Sequence, residues 1–395
     1  MTFLGYNVRK GENDILRVGI ITCWYKDISI ADYTSNLSAG LGRRVYVQCI
    51  TAPCICWRRY IGRKDIFQGN CVHSHFPPHI TALENGNAPK PLKPLVFLIL
   101  LFLQLLRGIS YYSKCKDEDI IHYQQSSAYQ FGFIPFLSLL AIPSSKIRIV
   151  TIHWLQKLGK FKFLYKCYKR ADKIIVLSDD MKDNIISIGI PKSKIAVVPH
   201  GRSLPQLLNL PRNEITFFGA PVEGKGFFTI LESLRILRAR GREVRLHVYG
   251  IYNEEEKNNA IEKATITCVN DLIVWGGRLS KSDFNRKMQE SMFTLAPYST
   301  YVSGSSIVAT AMGNATPVIG SKIGSTPEYL GDAGLLIEPN DPVSLSSAIV
   351  RMLEDPSLRL RLSEAARKNS QKFSWNKVGH ETLEIYRECL KRKLA

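Results

Sequence analysis

Short apolar runs alternate with helical patterns along almost the whole chain. In the first half, the runs LRVGIIT, RRVYVQCI, DIIHYQ, IRIVTIH, KIIVLS and KIAVVP begin at residues 16, 43, 119, 147, 173 and 194. A second series extends from EITFFG at residue 214 to AGLLIEP at residue 333. Buried strands that alternate with helices are typical of parallel sheets covered on both faces. The pattern therefore predicts an α/β protein with two Rossmann-like sheets.

The two series are separated by HGRSLPQLLNLPRN, residues 200–213, a stretch with two prolines and little periodicity that indicates a hinge. We expect an N-terminal domain over residues 1–205 and a C-terminal domain over residues 206–373, with ligands bound in a cleft at the carboxyl ends of the strands. The last helix, within residues 374–395, is expected to return to the N-terminal domain. It carries a stripe at helical spacing, Val378, Thr382, Tyr386 and Leu390.

Basic residues are concentrated in the N-terminal half. The net charge of the chain is +19, and residues 1–200 hold 27 Lys and Arg against 13 Asp and Glu, a balance of +14. This half is expected to face an anionic partner: a membrane surface, a lipid diphosphate or nucleic acid. No helix-turn-helix, zinc-finger or RNP-type motif is present, so the sequence favours a membrane surface and predicts no nucleic-acid partner.

Two stretches have a composition suited to a membrane surface. PLVFLILLFLQLL, residues 94–106, is shorter than the ~20 apolar residues of a spanning helix and is either a buried core helix or an interfacial segment. KLGKFKFLYKCYKRADK, residues 157–173, suits an anionic leaflet or a surface helix with its aromatic side chains in the core. Nine scattered cysteines and a polar N-terminus without a signal-peptide pattern predict a reducing, cytoplasmic location, with peripheral attachment to the plasma membrane.

One stretch has the form of an anion site. PYSTYVSGSSIVATAMGNATPVIGS, residues 297–321, places a glycine-bearing turn between an apolar strand and a helix. At such a place backbone N–H groups point at a ligand, although serine is also a favoured helix cap. Lys225 lies between Gly224 and Gly226, after another predicted strand. There the glycines allow a diphosphate to approach the backbone and the ammonium adds positive charge; the alternative is a surface turn.

Several motifs in order resemble the GT-B glycosyltransferases of family 4. They are VTIHWL, ADKIIVLSDDMKDNIISIGIPKSKIAVVPHG, FFGAPVEGKGFFTILESLRIL, PVIGSKIGSTPEYLGDAGLLIEPNDPVSLSSAI and the FSW that precedes the last helix. The resemblance covers nearly the whole chain. It implies two facing Rossmann-like domains and transfer of a hexose-type sugar from a nucleoside diphosphate to an acceptor hydroxyl. It also implies retention of anomeric configuration, no cofactor and no metal, and a place in polysaccharide or lipid-linked oligosaccharide assembly.

The chain departs from the family pattern at three positions. Ala220 stands where the family has the arginine of a basic pair, whose lysine corresponds to Lys225. Val302 and Thr310 stand where the family has two glutamates that flank the donor loop. A catalytically silent protein that binds a nucleotide sugar or a glycan is therefore the alternative function, and a nucleic-acid-binding protein is a third.

The resemblance assigns roles to individual residues. His153, at the end of IRIVTIH, is predicted to be catalytic together with Lys225, the alternative being a core histidine. The predicted donor-binding residues are Gly219, Ser303, Gly304, Ser305, Ser306, Arg278 and Glu328. For the last two, a surface ion pair and a turn cap are the respective alternatives. The loop at Ile30 and Ala31 is expected on the acceptor side.

Two clusters of possible metal ligands are predicted to be structural. Asp117-Glu118-Asp119 precedes a strand instead of following one, and so lies at the wrong edge of a sheet for a ligand. HSHFPPH, residues 73–79, has three histidines, but its prolines and polar context predict a loop. The wider segment over residues 51–93, rich in Pro, Gly and His, is predicted to be irregular.

Overall fold

The computed structural model describes most of the C-terminal half and a smaller part of the N-terminal half. The described residues are 16–23, 28–42, 45–52, 70–73, 115–125, 142–153, 168–250 and 252–394, with positions 102, 109, 112, 113 and 139.

The first sheet has seven strands: β1 (Leu16–Cys23), β2 (Val45–Ala52), β3 (Asn70–His73), β4 (Ile120–Gln125), β5 (Ile147–Ile152), β6 (Lys173–Val176) and β7 (Ile195–Val197). Their order is β3-β2-β1-β4-β5-β6-β7, and β1 pairs in parallel with both β2 and β4. This is the strand order of a Rossmann fold extended by one strand.

The second sheet has six strands: β8 (Glu214–Phe218), β9 (Leu246–Tyr249), β10 (Ile273–Gly277), β11 (Ser291–Ala296), β12 (Val318–Ser321) and β13 (Gly334–Ile337). The order is β10-β9-β8-β11-β12-β13, with every pairing parallel. The prediction of an α/β chain with two Rossmann-like sheets is therefore confirmed.

Ten helices are described: α1 (Ile28–Leu41), α2 (Asp179–Ser187), α3 (Phe227–Ala239), α4 (Glu254–Ile266), α5 (Lys281–Glu290), α6 (Ser306–Gly313), α7 (Thr326–Leu330), α8 (Pro342–Glu354), α9 (Pro356–Gln371) and α10 (Trp375–Leu394). Short 3₁₀ turns cover Lys192–Lys194, Glu223–Lys225 and Asn270–Leu272.

Apolar layers cover both faces of the second sheet. Phe217 and Phe218 are neighbours on β8 and therefore point to opposite faces. Phe217 packs in a core with Phe227 of α3 and Leu345 of α8. Phe218 packs in the other core with Met312 of α6. This double burial explains why β8 is apolar at successive positions instead of at alternate ones.

The chain divides into two compact units. Unit 1 comprises Met1–Thr151, Phe161–Ile174 and Thr382–Ala395, and unit 2 comprises Ile152–Lys160 and Ile175–Glu381. Helix α2 and strand β7, which the sequence places in the N-terminal domain, are grouped with unit 2. The domain boundary expected at residue 205 stays a prediction.

The second half of α10 belongs to unit 1, as the sequence predicts. The Tyr386 hydroxyl is hydrogen-bonded to His122 Nδ1 of β4 at 2.6 Å. Near the end of the helix, Lys393 Nζ donates to the carbonyl oxygens of Ser144 and Lys146 at 2.5 and 2.8 Å. The predicted stripe is also confirmed in its first three members, Val378, Thr382 and Tyr386, which are buried.

The burial of His122 predicts that unit 1 becomes less stable as the pH falls. It is completely buried, and burial lowers its pKa to about 3. Between about pH 3 and the unfolded pKa of about 6.5, the unfolded chain binds a proton at this histidine that the folded chain does not bind. The free energy of unfolding therefore has its full value above about pH 6.5. Below that pH it falls by about 1.4 kcal/mol for each pH unit. We expect a loss of about 2 kcal/mol between pH 7.5 and pH 5, measured as hydrogen exchange of β4 amides in a urea titration.

The matched variants are His122→Gln, which should flatten this pH dependence, and His380→Gln at an exposed position, which should leave it unchanged. An equal slope in wild type and His122→Gln would contradict the assignment.

Two predictions about the N-terminal half are wrong. Ile30 and Ala31 do not lie in a loop but in the first turn of α1, which begins at Ile28. Asp27 precedes Ile28 in the sequence and is a residue type favoured before a helix, so the sequence holds a helix-start signal ahead of the two residues assigned to a loop. Within the segment predicted to be irregular, residues 70–73 form β3, paired in parallel with β2. An edge strand of four residues is too short for a periodicity signal.

The acidic cluster at residues 117–119 lies at the amino end of β4. The Arg17 guanidinium donates to the buried Glu118 carboxylate at 3.2 Å, and Asp119 accepts from the Arg17 backbone N–H at 3.0 Å. The cluster directly precedes β4, so its predicted position is confirmed, and the absence of a metal role stays a prediction.

The two stretches suited to a membrane surface lie largely outside the described residues, as do residues 74–79 of the histidine motif. In the first stretch, Phe102 is described and is exposed. In the second, Tyr168 is buried. No helix in the described ranges is both long and apolar enough to cross a membrane.

Candidate active site

The Lys225 turn begins where β8 ends. Gly219 has φ +141, and its N–H donates to the carbonyl of Tyr249 at 2.8 Å. After the 3₁₀ turn at Glu223–Lys225, Gly226 starts α3 with φ +75. A Cβ on Gly226 would lie 1.7 Å from the carbonyl oxygen of Pro297. Only glycine fits there, so the Lys225 turn lies directly against the segment that follows β11.

The SGSS turn is the capped start of α6. The Ser305 hydroxyl accepts the N–H of Val308 at 3.1 Å, which makes Ser305 the N-cap residue. Ser303 and Ser305 are both buried. The N–H groups of Ser306 and Ile307 have no acceptor within the helix because no turn precedes them. The turn therefore offers a ligand its backbone N–H groups, and the predicted Ser303 and Ser305 contribute through structure.

The structure brings Lys225 and the SGSS turn together. The Ser299 hydroxyl donates to the Glu223 carbonyl at 2.5 Å, and Thr300 donates to the Gly224 carbonyl at 3.2 Å. These bonds fasten the lysine turn to the loop that leads into α6. Both elements lie at the carboxyl ends of β8 and β11, where parallel sheets bind ligands.

Tyr298 lies beneath both features. Its ring centroid is 5.1 Å from Lys225 Nζ, and its hydroxyl is hydrogen-bonded to the Ser305 hydroxyl at 2.6 Å. The side chain is buried. One aromatic residue therefore contacts the candidate cation and the helix cap at once.

Val302 and Thr310, the positions at which the sequence predicts that the family glutamates are absent, form hydrogen bonds with backbone groups. The Val302 carbonyl accepts the Ser325 N–H at 2.9 Å, and a Cβ on Gly324 would lie 2.1 Å from the same oxygen. The Thr310 hydroxyl donates to the Ser306 carbonyl within α6 at 2.7 Å. Neither position supplies a carboxylate.

Glu328 caps a helix. Its Oε2 accepts the backbone N–H of Asp179, the first residue of α2, at 2.9 Å. Loss of solvation raises the pKa of this carboxyl, and the charges of Asp179 and Asp180 raise it further. Tyr301 donates a hydrogen bond from its hydroxyl to Asp180 in the same cluster. The predicted contact of Glu328 with a donor stays a prediction. The hydrogen bond in the structure is to the start of α2, a different element from the following turn that the sequence offered as the alternative.

Arg278 follows the end of β10, which is separated from β8 by β9. It is exposed and follows Gly277, whose φ is +65. Gly277 accepts the N–H of Gly250 at 2.9 Å, and a Cβ on Gly250 would lie 2.4 Å from the Gly219 oxygen. Gly250, which follows β9, therefore contacts both the residue before Arg278 and Gly219, which precedes the Lys225 turn.

His153 follows β5 directly and is half-buried. Its predicted place at a strand end is confirmed, and its catalytic role stays a prediction.

Sequence reasoning missed two tyrosines of the site. Tyr298 could have been predicted from the sequence, because it follows Pro297 at the carboxyl end of a predicted strand. Tyr329 could not have been predicted, because its contacts are with residues more than 120 positions away in the sequence. Its hydroxyl donates to the Leu177 carbonyl and accepts the His200 N–H, both at 3.0 Å. A Cβ on Gly304 would lie 3.2 Å from that hydroxyl.

Two family models together match most of the chain. The model for glycosyltransferase family 4 matches residues 33–204, and the model for glycosyl transferases group 1 matches residues 205–369.

Among curated proteins, the MMP alpha-(1->4)-mannosyltransferase of Mycolicibacterium hassiacum is 25% identical over 304 residues, 71% of this chain and 72% of that protein. An uncharacterized glycosyltransferase of Methanocaldococcus jannaschii is 26% identical over 309 residues, 72% of this chain and 83% of that protein.

Solved structures share the fold at low identity. An Anabaena protein crystallised in complex with UDP superposes with a TM-score of 0.72 at 13% identity, covering 94% of this chain and 100% of that one. A glycosyltransferase of Rickettsia africae gives a TM-score of 0.70 at 16% identity, covering 95% of this chain and 99% of that one. The chain belongs to the GT-B glycosyltransferases of family 4 and is a hexosyltransferase.

Proposed function

We propose that this protein transfers a hexose from a nucleoside diphosphate hexose to a hydroxyl group of a glycan or lipid-linked acceptor, with retention of anomeric configuration. The observation that carries the proposal is the pairing of Lys225 with the start of α6 on one support, Tyr298. A cation and free backbone N–H groups at the carboxyl ends of two neighbouring strands suit a diphosphate.

The diphosphate would be bound by the positive charge of a lysine and by backbone N–H groups at the start of α6. The Lys225 ammonium supplies a full positive charge, and the N–H groups of Ser306 and Ile307 supply the positive end of the helix dipole. Gly219 adds no side chain at the end of β8, and Gly304 allows the turn before α6 to pack closely against Leu177 and Tyr329.

The same groups would act in the transfer step. As the bond between the sugar and the diphosphate breaks, negative charge grows on the leaving phosphate, and groups placed in advance around it lower the barrier. The leaving phosphate would then accept the proton of the acceptor hydroxyl. A double displacement needs a carboxylate nucleophile close to the anomeric carbon. Val302 and Thr310 provide none at the two positions where the family has glutamates.

Uridine is the first base to test in the donor. The Anabaena protein with the same fold has been crystallised with UDP and with UDP-glucose. The relative from Mycolicibacterium hassiacum is named as a mannosyltransferase, so GDP-mannose is the second donor to test.

The direct test is release of UDP or GDP from a panel of UDP- and GDP-hexoses, with glycan and lipid-linked acceptors and with NMR of the product anomer. We expect release that depends on acceptor, an anomer of the same configuration as the donor and no loss on addition of EDTA. Binding without release from any donor would contradict the proposed transfer. An inverted product would contradict retention, and loss with EDTA that a divalent metal restores would contradict metal independence.

Lys225→Ala should weaken binding of UDP and of UDP-hexose equally. The expected loss is about 1.5–3 kcal/mol, the contribution of a hydrogen bond to a charged group, or about 10- to 150-fold in Kd. Calorimetric titration measures both ligands. The matched control is Lys322→Ala, at an exposed lysine of the same unit that is paired with Glu338, and it should bind like wild type. Unchanged affinity of Lys225→Ala would show that the lysine turn is not part of the donor site.

The protein is further proposed to attach peripherally to anionic membrane on the inner face of the plasma membrane. The balance of +14 over residues 1–200 supports this, because each Lys or Arg near an anionic surface contributes about 1 kcal/mol. Flotation with anionic and neutral vesicles, at low and high salt, tests it. Equal flotation with both kinds of vesicle, or flotation with neither, would reject attachment.

A further inference from the structure

We propose that Tyr298 is a positioning residue of the transfer site: its buried ring holds the Lys225 ammonium in place for the diphosphate. The inference rests on the proposed donor site and names the residue that orders it.

The contact geometry of Tyr298 is that of a cation held by an aromatic face. Lys225 Nζ lies 5.1 Å from the ring centroid, within the range of about 6 Å at which such contacts are attractive. Lys225 is exposed, whereas Tyr298 is 3% exposed. A mobile four-carbon side chain therefore rests on a fixed partner, which limits where its ammonium can be.

The fixed partner is itself tied to the helix start. The Tyr298 and Ser305 hydroxyls are 2.6 Å apart, and Ser305 caps α6 through the Val308 N–H. A shift of the ring would move the cap and the cation together. The aromatic residue thus sets the distance between the positive charge and the N–H groups that would face the same diphosphate.

Hydrogen bonds also join the segment that carries Tyr298 to the backbone of the Lys225 turn. Ser299 and Thr300, which follow Tyr298, donate to the carbonyl oxygens of Glu223 and Gly224. The backbone beneath the lysine and the backbone that carries the tyrosine therefore move as one piece. The remaining freedom is that of the lysine side chain, which the ring restricts.

The first experiment observes the contact without any ligand. Reductive methylation with ¹³C-formaldehyde labels the lysine amines, and the Lys225 signal is the one that Lys225→Ala removes. Methyl groups above an aromatic face are displaced upfield, so we expect an upfield Lys225 signal in wild type and in Tyr298→Phe. In Tyr298→Leu it should return to the position of a free lysine. The Lys287 signal is an internal reference, because Lys287 lies 5.9 Å from the ring of Tyr249 and should not move.

The second experiment measures positioning by calorimetric titration with UDP. Tyr298→Leu should weaken binding about two- to fivefold, the range of an exposed cation–π contact, while Tyr298→Phe should stay within about twofold because the ring remains. In the Lys225→Ala background the leucine change should have no further effect. A merely structural role of the ring would give losses that add in the double variant.

The outcomes separate the two claims. An undisplaced Lys225 signal in wild type, a displaced signal that survives in Tyr298→Leu, or additive losses in the double variant would each overturn the role of Tyr298 and leave the donor site standing. If wild type shows the displaced signal but binds neither UDP nor GDP, the proposed function fails, and the role of Tyr298 in binding fails with it. Should Tyr298→Leu not fold, Tyr298→Phe decides through its retained signal and retained affinity.

Discussion

Gly226→Ala is expected to reduce hexosyl transfer by about 100-fold or more, since a displacement of about 1 Å in a transfer site has an effect of that size. The new Cβ would lie 1.7 Å from the Pro297 carbonyl oxygen, which is backbone and cannot rotate away. The Lys225 turn and the loop after β11 must then separate. Stability should fall by more than the about 1–2 kcal/mol that a left-handed alanine costs by itself.

The matched control is Gly241→Ala. Gly241 has nearly the same φ, +76, but a Cβ there would meet no atom within 4 Å. This variant should lose only the conformational cost and keep its transfer rate. Turnover assays and thermal unfolding of both variants decide the question: if Gly226→Ala behaves like Gly241→Ala, the close approach of the two segments is not what holds the site.

His153→Ala is expected to lower turnover by about 100-fold, within the usual range for a group that moves a proton or orients a reacting one. The residue follows β5 and is half-buried, so its loss should leave the fold intact. Turnover with a saturating donor and circular dichroism measure the two effects.

His122→Ala is the contrasting control for His153. His122 is buried and hydrogen-bonded at both ring nitrogens, to Tyr386 and to Thr151. Its replacement should unfold or strongly destabilise unit 1. If His153→Ala also unfolds the protein, or keeps near-normal turnover, then His153 is a core residue.

The strands of this chain could be predicted because a strand that is buried on both faces of a sheet is apolar at successive positions. Runs such as EITFFG are apolar at successive positions, and the described strands fall on them with shifts of at most two residues at their ends. Strand β3 and the first turn of α1 were missed for opposite reasons. The strand is a four-residue edge whose position depends on β2, and the helix begins at Ile28, ahead of the two residues that were assigned to a loop.

The site could be predicted only as far as local sequence determines it. Lys225, Gly226 and the SGSS turn were found because a glycine-rich turn between a strand and a helix is a local pattern with a physical meaning. The contact of Lys225 with Tyr298 joins two loops separated by 73 positions, and no local rule pairs them. The capping of α2 by Glu328 spans 149 positions, whereas the sequence suggested only a cap of the turn that follows Glu328.

The return of α10 to unit 1 has a consequence for the order in which the protein can be completed during synthesis. His122 emerges from the ribosome early, but the Tyr386 hydroxyl that binds it lies 264 residues later. The carbonyl groups of Ser144 and Lys146 are likewise synthesised 249 and 247 residues before Lys393, which binds them. Domains generally fold from the N-terminus as they are made, whereas here the residues of unit 2 are all available before unit 1 has its last helix. We therefore expect the half that is translated first to be finished last.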